Sequence, residues 1–313
     1  MDYGLTVFGV KDSSEDMIRF LHGNVRKIDL VISVSDSVRG KNDIAGGTGL
    51  KGLEKELGIP VFEADSYLLK DEATLSFIAE NEFDLGICMG WQRLIPVEVL
   101  SRFRSGVFGF HGNAGYLPFG RGRSPLNWSM ILGDTRFNLN LFRYDENPDS
   151  PNVFATETFE ITPFDDIRTA QYKNQILSRR LAQKLVRAWE NGEIIVNTES
   201  KDYDSWYEKR TAKDGRLDMK ARTREIYNLI RGVSAPFPGA FCFVEKPGTD
   251  PVKITVWEAR PFDQIIDLSG FAPGEIAFVF ENRPVIRTVD GSLIINKYES
   301  EDGSPLKAGD ILK

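Results

Sequence analysis

The sequence predicts an α/β fold in two parts. The first is a Rossmann-like domain with a mostly parallel sheet over residues 1–203, and the second is a small C-terminal β-barrel, OB-like, over residues 204–313. In the first half, short apolar runs alternate with amphipathic helical stretches, which is typical of βαβ units. In the last part, short apolar runs are separated by Pro and Gly, which is typical of a small barrel or sandwich.

Apolar runs and helical periodicity define the elements of the first domain in order. Parallel strands are predicted at residues 5–10, 29–34, 60–63, 84–89 and 106–110. Helices between them are predicted at residues 13–23, 47–58 and 66–82, with a polar loop at residues 37–47. Two further strands follow at residues 137–144 and 152–161, and a long helix from about 166 to 190 closes the domain, because apolar residues recur there at every fourth position.

The second domain is predicted to begin with one helix and continue as strands. The helix covers residues 221–232, and the strands lie at residues 238–246, 252–259, 274–281, 284–289 and 292–298.

Composition narrows the class of protein. With 41% hydrophobic and 27% charged residues, the chain is typical of a globular protein, and no run approaches the roughly 20 apolar residues of a membrane span. Cys88 and Cys242 lie in apolar runs and are expected to be buried, reduced thiols, which fits a cytoplasmic protein. The net charge of -7 argues against a nucleic-acid partner. A small molecule is therefore the favoured binding partner, and the sequence leaves open whether the protein forms a homodimer.

Two loops follow predicted parallel strands and are candidates for a ligand site, because ligands collect at the carboxyl ends of such strands. The first has the sequence GWQRLIP and the second HGNAGYLPFGRGR, which is dense in glycine. Ser124 and Pro125 are predicted to be the N-cap and first residue of a helix after the second loop. Of the two histidines, His22 is expected to be structural, whereas His111 stands at a strand end where a catalytic base is expected.

The second loop and its surroundings resemble the folate-dependent formyltransferase superfamily. The hallmark of that superfamily is Asn-x-His, then Leu-Pro, then Arg-Gly-x-x-Pro, with an Asp about thirty residues later. The matching residues are Leu117, Pro118, Arg121, Gly122, Pro125 and Asp149. The segment REIYNLIRGVSAPFPGAF resembles the start of the C-terminal domain of the same superfamily. The resemblance implies 10-formyltetrahydrofolate as formyl donor and no metal.

The resemblance also implies roles for individual residues. His111, Asp149 and Asn113 are the expected catalytic residues. The expected folate site comprises Trp91, Arg93, Leu94, Ile95, Tyr144 and Asp145, and Arg121, Gly122 and Arg123 are expected to act on the substrate or fix the loop. Each has a structural alternative: a core aromatic for Trp91, solvated ion pairs for the two arginines, and a turn cap for Asp149. Trp128 and Trp206 are expected to be packing residues.

The Asn-x-His pair is altered in this chain. An ungapped match puts His111 at the family's Asn and Asn113 at its His. A two-residue insertion keeps His111 as the histidine and replaces the Asn by Gly109. We prefer the insertion, because imidazole accepts a proton near neutral pH and an amide does not. Asn113 or backbone amides of the loop are then expected to supply the second oxyanion donor.

Three functions fit these patterns. The leading hypothesis is an N-formyltransferase acting on a nucleotide-linked amino sugar. Methionyl-tRNA formyltransferase is the first alternative, although residues 200–313 carry 17 Lys plus Arg against 18 Asp plus Glu, a net of -1, where a tRNA-binding domain is expected to be basic. The second alternative is a non-catalytic folate- or nucleotide-binding relative.

Overall fold

The computed structural model describes residues 1–42, 44, 46–199, 202–245 and 250–313. The chain forms two compact units. The first unit comprises Met1–Gly122, Asn138–Phe159 and Lys173–Trp206, and the second comprises Arg123–Phe137, Glu160–Tyr172 and Tyr207–Lys313. The predicted boundary between residues 203 and 204 stays a prediction, and the interleaving of the earlier segments was not anticipated.

A seven-stranded sheet organises the first half of the chain. Its strands are β1 (Asp2–Phe8), β2 (Leu30–Val34), β3 (Val61–Ala64), β4 (Glu82–Cys88), β5 (Phe103–Asn113), β7 (Arg136–Arg143) and β8 (Val153–Glu160), with the two-residue strand β6 (Arg121–Gly122) outside the sheet. The order is β3-β2-β1-β4-β5-β7-β8. The first five strands pair in parallel and β7 is antiparallel to β5, which confirms the predicted mostly parallel sheet.

Seven helices accompany this half within the described residues. They are α1 (Asp12–Asn24), α2 (Asp36–Lys41), α3 (Gly52–Leu57), α4 (Glu72–Glu80), α5 (Val97–Leu100), α6 (Pro125–Leu132) and α7 (Ile167–Glu190). The long helix is confirmed within one residue at its start. The helix predicted from residue 66 begins only at Glu72, because the Asp71 side chain accepts a hydrogen bond from the Thr74 N–H and caps it there.

Two short helices were not predicted. α2 lies in the segment predicted to be a polar loop, of which Asp43 and Ala45 lie outside the described residues, and α5 follows the first candidate loop. Aromatic side chains fill the core beneath these elements. Phe83 lies at the centre, with ring centroids 5.6 Å from Tyr3 and 4.9 Å from Phe103. This packing fixes β1, β4 and β5 as the central strands.

The second unit contains an antiparallel sheet. Its elements include a 3₁₀ turn (Ala212–Gly215), α8 (Thr223–Val233), β10 (Ala240–Val244), β11 (Val252–Pro261), β12 (Ile276–Phe280), β13 (Arg283–Thr288) and β14 (Gly291–Ser300). The two-residue strand β9 (Trp206–Tyr207) has one residue in each unit. The five longer strands have the order β10-β11-β14-β13-β12. The final residues bridge the two edge strands, since Lys313 exchanges hydrogen bonds with Phe243 and the Asp310 carbonyl accepts from Ile276. This closure agrees with the predicted barrel. Lys246, at the end of the first predicted strand, lies outside the described residues.

No helix in the described part of the chain combines the length and the apolar character needed to cross a bilayer.

Candidate active site

The candidate site lies at the carboxyl edge of the first sheet, in the first unit. β4 ends at Cys88 and β5 ends at Asn113, and these two strands are neighbours in the sheet. The loops that follow them therefore begin at the same edge, as the sequence predicted. Gly109 pairs with Cys88 in the parallel register, and two residues later His111 pairs with Asn140 on β7.

His111 and Asp149 are brought together. The ring Nδ1 of His111 lies 3.3 Å from Asp149 Oδ1, and the other carboxylate oxygen accepts a hydrogen bond of 3.0 Å from the Gly122 N–H. His111 is 7% exposed and the Asp149 side chain 21% exposed. Asp149 has a φ of 50°, a left-handed conformation that Asp adopts more readily than most residues. The turn thus aims the carboxylate at the histidine, which favours the alignment with the insertion.

The second ring nitrogen of His111 faces the glycine-rich loop. Nε2 lies 2.7 Å from the Gly120 carbonyl oxygen. Both neighbours of the ring are acceptors, and a neutral imidazole has only one N–H. The neutral ring therefore donates to one of them at a time. For Nε2 to accept a proton from a substrate, the Gly120 carbonyl must leave this nitrogen.

Asn113 is completely buried and is bonded to the loop at both ends of its amide. Its Nδ2 donates to the Phe119 carbonyl, and its Oδ1 accepts from the Gly115 N–H at 2.8 Å. These bonds hold the loop in shape. The expected role of Asn113 as a second oxyanion donor stays a prediction. In this conformation, the hydrogen bonds of its amide hold the loop in place.

Two buried asparagines on β7 also support the loop, and sequence analysis missed them. Asn138 donates to the carbonyls of Ala114 and Gly115, and Asn140 donates to the carbonyl of His111. Their side-chain oxygens accept from threonine hydroxyls of β8 at 2.7 Å. The signal that could have revealed them is the Asn-x-Asn alternation inside a strand that is otherwise apolar.

A segment just before β9 also binds the loop. Asp202 accepts a hydrogen bond from the Tyr116 N–H at 2.7 Å, and the Ser205 hydroxyl accepts from the Gly120 N–H at 2.8 Å. The Arg121 N–H donates to the Ser205 carbonyl. This segment is the second functional feature that sequence analysis missed, because nothing local marks a contact with a partner some 85 residues distant along the chain.

Arg121, Gly122 and Arg123 have different environments. The Arg121 side chain is 15% exposed, lies 3.5 Å from Asp204 and stacks on Trp206 at 5.4 Å. Gly122 has a φ of 100° and donates to Asp149, so it fixes the turn that holds this carboxylate. Arg123 belongs to the second unit. Trp206, expected to be a packing residue, is 54% exposed.

Residues of the first loop divide between core and surface. Trp91 and Ile95 are buried, and Trp91 meets the Tyr67 ring edge-on at 4.9 Å. The indole Nε1–H of Trp91 is buried and has no hydrogen-bond partner in the part of the chain that the structure describes. Leu94 is 65% exposed, and the Arg93 guanidinium lies 5.1 Å from the Tyr67 ring. One end of this loop therefore belongs to the core, while the other is open to a ligand.

Tyr144 and Asp145, also expected in the folate site, are adjacent in sequence but make different contacts. The Tyr144 side chain lies over β5, and its hydroxyl interacts with the Cys88 thiol. Burial is the main cause that raises the pKa of Tyr144 well above its ordinary value, and burial also raises the pKa of Cys88 to about 12. Asp145 caps a turn, accepting from Asn147, Ser150 and Asn152. The Cys88 thiol and the Tyr144 hydroxyl therefore stay protonated at neutral pH.

The start of α6 differs in detail from the prediction. Pro125 is its first residue, as predicted, but Ser124 adopts φ 56° and its side chain makes no capping hydrogen bond. No cluster of three or more His, Cys, Asp or Glu side chains within the described ranges could hold a metal ion.

Family models match most of the chain. Residues 8–189 match the model described as formyl transferase, and residues 209–313 match the model described as formyl transferase, C-terminal domain.

Three solved structures share this architecture. An N-formyltransferase from Helicobacter canadensis, in complex with folinic acid and dTDP-3-aminofucose, is 15% identical, with 93% of this chain and 98% of that chain covered and a TM-score of 0.64. A 4-N formyltransferase from Francisella tularensis is 16% identical, with 79% and 94% covered and a TM-score of 0.60. HypX from Aquifex aeolicus, in complex with tetrahydrofolic acid, is 16% identical with a TM-score of 0.59; the match covers 98% of this chain but only 46% of HypX. At these identities the likeness establishes a shared fold.

Proposed function

The chain belongs to the formyl transferase family, and on that premise we propose that it transfers the formyl group of 10-formyltetrahydrofolate to the amine of a small acceptor. The observation that carries the proposal is the contact between His111 Nδ1 and Asp149 Oδ1 at the end of β5. Formyl transfer requires a group that takes a proton from the attacking amine, and an imidazole oriented by a carboxylate is suited to this task.

In the proposed reaction, His111 transfers the proton and Asp149 stabilises its charged ring. The amine attacks the formyl carbon, a C–N bond forms, and the carbonyl electron pair moves to oxygen. His111 Nε2 accepts the amine proton once Gly120 has released this nitrogen, while Asp149 stabilises the resulting imidazolium. The bond between the formyl carbon and the folate nitrogen then breaks, and the proton passes from His111 to that nitrogen. Atoms and charge balance without a metal.

The first loop is the proposed binding site for the folate. The Trp91 indole N–H is a buried donor that has no partner among the described residues, and Leu94 offers an exposed apolar side chain. An aromatic ring system with polar edges would satisfy both. Arg93, Ile95, Tyr144 and Asp145 complete the proposed folate site.

A nucleotide-linked amino sugar is the proposed acceptor. Tyr203 and Trp206 are 72% and 54% exposed, and Arg121 stacks on Trp206 beside the loop that contacts His111. Exposed aromatic faces next to a guanidinium suit a base and an anionic phosphate. The neighbour from Helicobacter canadensis was solved with dTDP-3-aminofucose. The net charge of -1 over residues 200–313 disfavours tRNA.

We also assign the protein to the cytoplasm. Cys88 and Cys242 are both free thiols and both buried, as expected of a protein that folds under reducing conditions.

The test is formyl transfer itself. The protein is incubated with 10-formyltetrahydrofolate and a panel of amines: dTDP-3-aminofucose, other nucleotide-linked amino sugars, the corresponding free amino sugars and methionyl-tRNA. Tetrahydrofolate release and the product mass are followed. We expect formylation of a nucleotide-linked sugar. Formylation of the tRNA alone would replace the proposed acceptor, and tetrahydrofolate binding without turnover of any amine would favour a binding protein.

A variant pair tests the acceptor assignment separately. Trp206→Ala is expected to raise KM for a nucleotide-linked sugar by about ten-fold, the effect of losing one stacked base, without raising KM for the same sugar lacking the nucleotide. Tyr172→Ala removes an aromatic side chain of similar exposure, 64%, and serves as the matched control. Equal KM values in the two variants would contradict the base-stacking role.

A further inference from the structure

β5 has a glycine, Gly109, two residues before His111, and Tyr144 covers that position. A Cβ placed on Gly109 would overlap the hydroxyl oxygen of Tyr144 and two carbons of its ring. The phenol therefore occupies the volume that a side chain at residue 109 would take. Its position is fixed by the pairing of β5 with β7, since the Tyr144 N–H donates to the Val107 carbonyl at 2.8 Å.

The Tyr144 hydroxyl lies on the same face of the sheet as His111. Gly109 and His111 are two residues apart on a strand with regular pairing, so their side-chain directions coincide. Two residues of strand separate neighbouring side chains on one face by about 7 Å. The phenol and the imidazole are therefore neighbours on this face, and the Asp149 carboxylate is close enough to interact electrostatically with Tyr144.

Other donors near His111 are already bonded in this conformation. Asn113 is bonded at both ends of its amide. The loop amides that donate within the protein are those of Gly115, Tyr116, Phe119, Gly120, Arg121 and Gly122. An oxyanion bound by any of these six amides would have to break its bond first. The expected donation by backbone amides of the loop stays a prediction.

The phenol has the chemistry that the site requires. Burial is the main cause that raises the pKa of Tyr144, with the Cys88 thiol and the Asp149 carboxylate adding to it. The hydroxyl keeps its proton at neutral pH and remains a donor. Its neighbour in this conformation is the Cys88 thiol, which is a weak acceptor. A weak partner is readily exchanged for an anionic oxygen, which is a stronger acceptor.

We propose that the Tyr144 hydroxyl donates a hydrogen bond to the oxyanion that forms when the amine attacks the formyl carbon. The inference rests on the proposed function and adds a catalytic residue to it. No proton is transferred from Tyr144: the hydroxyl stabilises the oxygen while His111 moves the amine proton to the folate nitrogen. When the carbonyl re-forms, the hydroxyl returns to Cys88.

Removal of the hydroxyl alone is the first test. In Tyr144→Phe we expect kcat for formyl transfer to fall about 10²–10³-fold, the usual effect of losing one oxyanion donor, with KM for the folate changed less than about three-fold. Tyr172→Phe removes a phenol hydroxyl from the exposed part of α7 and is the matched control. Fluorinated tyrosines at residue 144 make the phenol a stronger donor without altering its shape, and we expect kcat to change with their acidity at constant KM.

A transplanted donor is the second test. Gly109→Asn alone is expected to be inactive, because its side chain meets the Tyr144 ring. Combined with Tyr144→Ala it gains space and presents an amide N–H on the same face, and we expect it to exceed Tyr144→Ala in kcat by about ten-fold or more.

These experiments distinguish the role of Tyr144 from the proposed function. Transfer by the wild-type protein with kcat unchanged in Tyr144→Phe would overturn the role of Tyr144 and leave the proposed function standing. A flat response to the fluorinated tyrosines would have the same meaning. Absence of transfer by the wild-type protein with every amine of the panel would overturn the proposed function and this inference together.

Discussion

The two loops at the carboxyl edge of the first sheet differ in how their polar groups are satisfied. In the loop after β5, Asn113 and six backbone amides donate within the protein, and the Asp149 carboxylate is held by His111 and Gly122. In the loop after β4, the Trp91 indole N–H has no partner within the described residues, and Leu94 is largely exposed. The loop after β5 is assembled before any ligand arrives, whereas the loop after β4 has a donor and an apolar side chain still available to a ligand.

Under the proposed function, this difference assigns the reaction to the loop after β5 and folate binding to the loop after β4. Apart from the Gly120 carbonyl, which must first leave His111 Nε2, the preassembled groups need not reorganise during the reaction, so they stabilise a transition state efficiently. Unsatisfied groups gain hydrogen bonds only when the ligand is present, so they contribute to affinity. Substitutions in the loop after β5 should therefore change kcat or stability, and substitutions in the loop after β4 should change ligand affinity.

The largest expected effect among substitutions that test this contrast is that of Asp149→Asn. The amide keeps the shape of the carboxylate but loses the charge that stabilises the His111 imidazolium, so we expect kcat to fall by about 10²-fold, within the range of general acid–base effects. Steady-state kinetics at saturating substrate check this. Asp2→Asn, which removes an exposed carboxylate paired with Arg104, is the control. A rise in KM with kcat unchanged would assign Asp149 to binding.

Asn113→Ala is expected to act on the fold of the loop. It removes the hydrogen bonds that Asn113 makes with the Phe119 carbonyl and the Gly115 N–H in a partly buried setting, which costs about 1–3 kcal/mol of unfolding free energy. Urea unfolding measures this. Asn191→Ala is the matched control, since its amide makes only a 3.4 Å contact with Glu193 at the surface. Equal stability of the two variants would show that the loop does not depend on Asn113.

Trp91→Phe should have the smallest effect. It removes an N–H that donates to no described residue, so the substitution should weaken only the binding of a ligand. We expect the Kd for tetrahydrofolate to rise by roughly two- to ten-fold, which corresponds to one net hydrogen bond. Isothermal titration calorimetry measures it, with Trp189→Phe as control. If the Kd were unchanged, the Trp91 indole N–H would have no part in folate binding.

Much of the fold follows from local patterns. The parallel strands and α7 were predicted because buried runs and four-residue periodicity are properties of short segments. α4 was predicted to begin too early, because Tyr67 and Leu69 continue the apolar pattern although they pack in the core from a loop. The interleaving of the two units depends on contacts between distant segments, which no local pattern contains.

The residues of the candidate site were likewise predicted only in part. The family resemblance implied that His111 and Asp149 act together, and the structure brings them to 3.3 Å. The position of Tyr144 over Gly109 could not be predicted, because it depends on the register of β5 against β7. The same holds for Ser205, which reaches Gly120 across 85 residues of sequence. Long-range register decides which side chain fills the space left by a glycine.

The central claim is that His111 moves the proton during formyl transfer, and its most direct test is the single-turnover rate of His111→Ala beside that of His22→Gln. His22 is the other histidine, and its ring accepts a hydrogen bond from the Ile28 N–H at 3.1 Å. The account predicts that His111→Ala transfers formyl about 10²–10⁴-fold more slowly than the wild type, while His22→Gln keeps the wild-type rate. A His111→Ala protein that transfers formyl at the wild-type rate would contradict it.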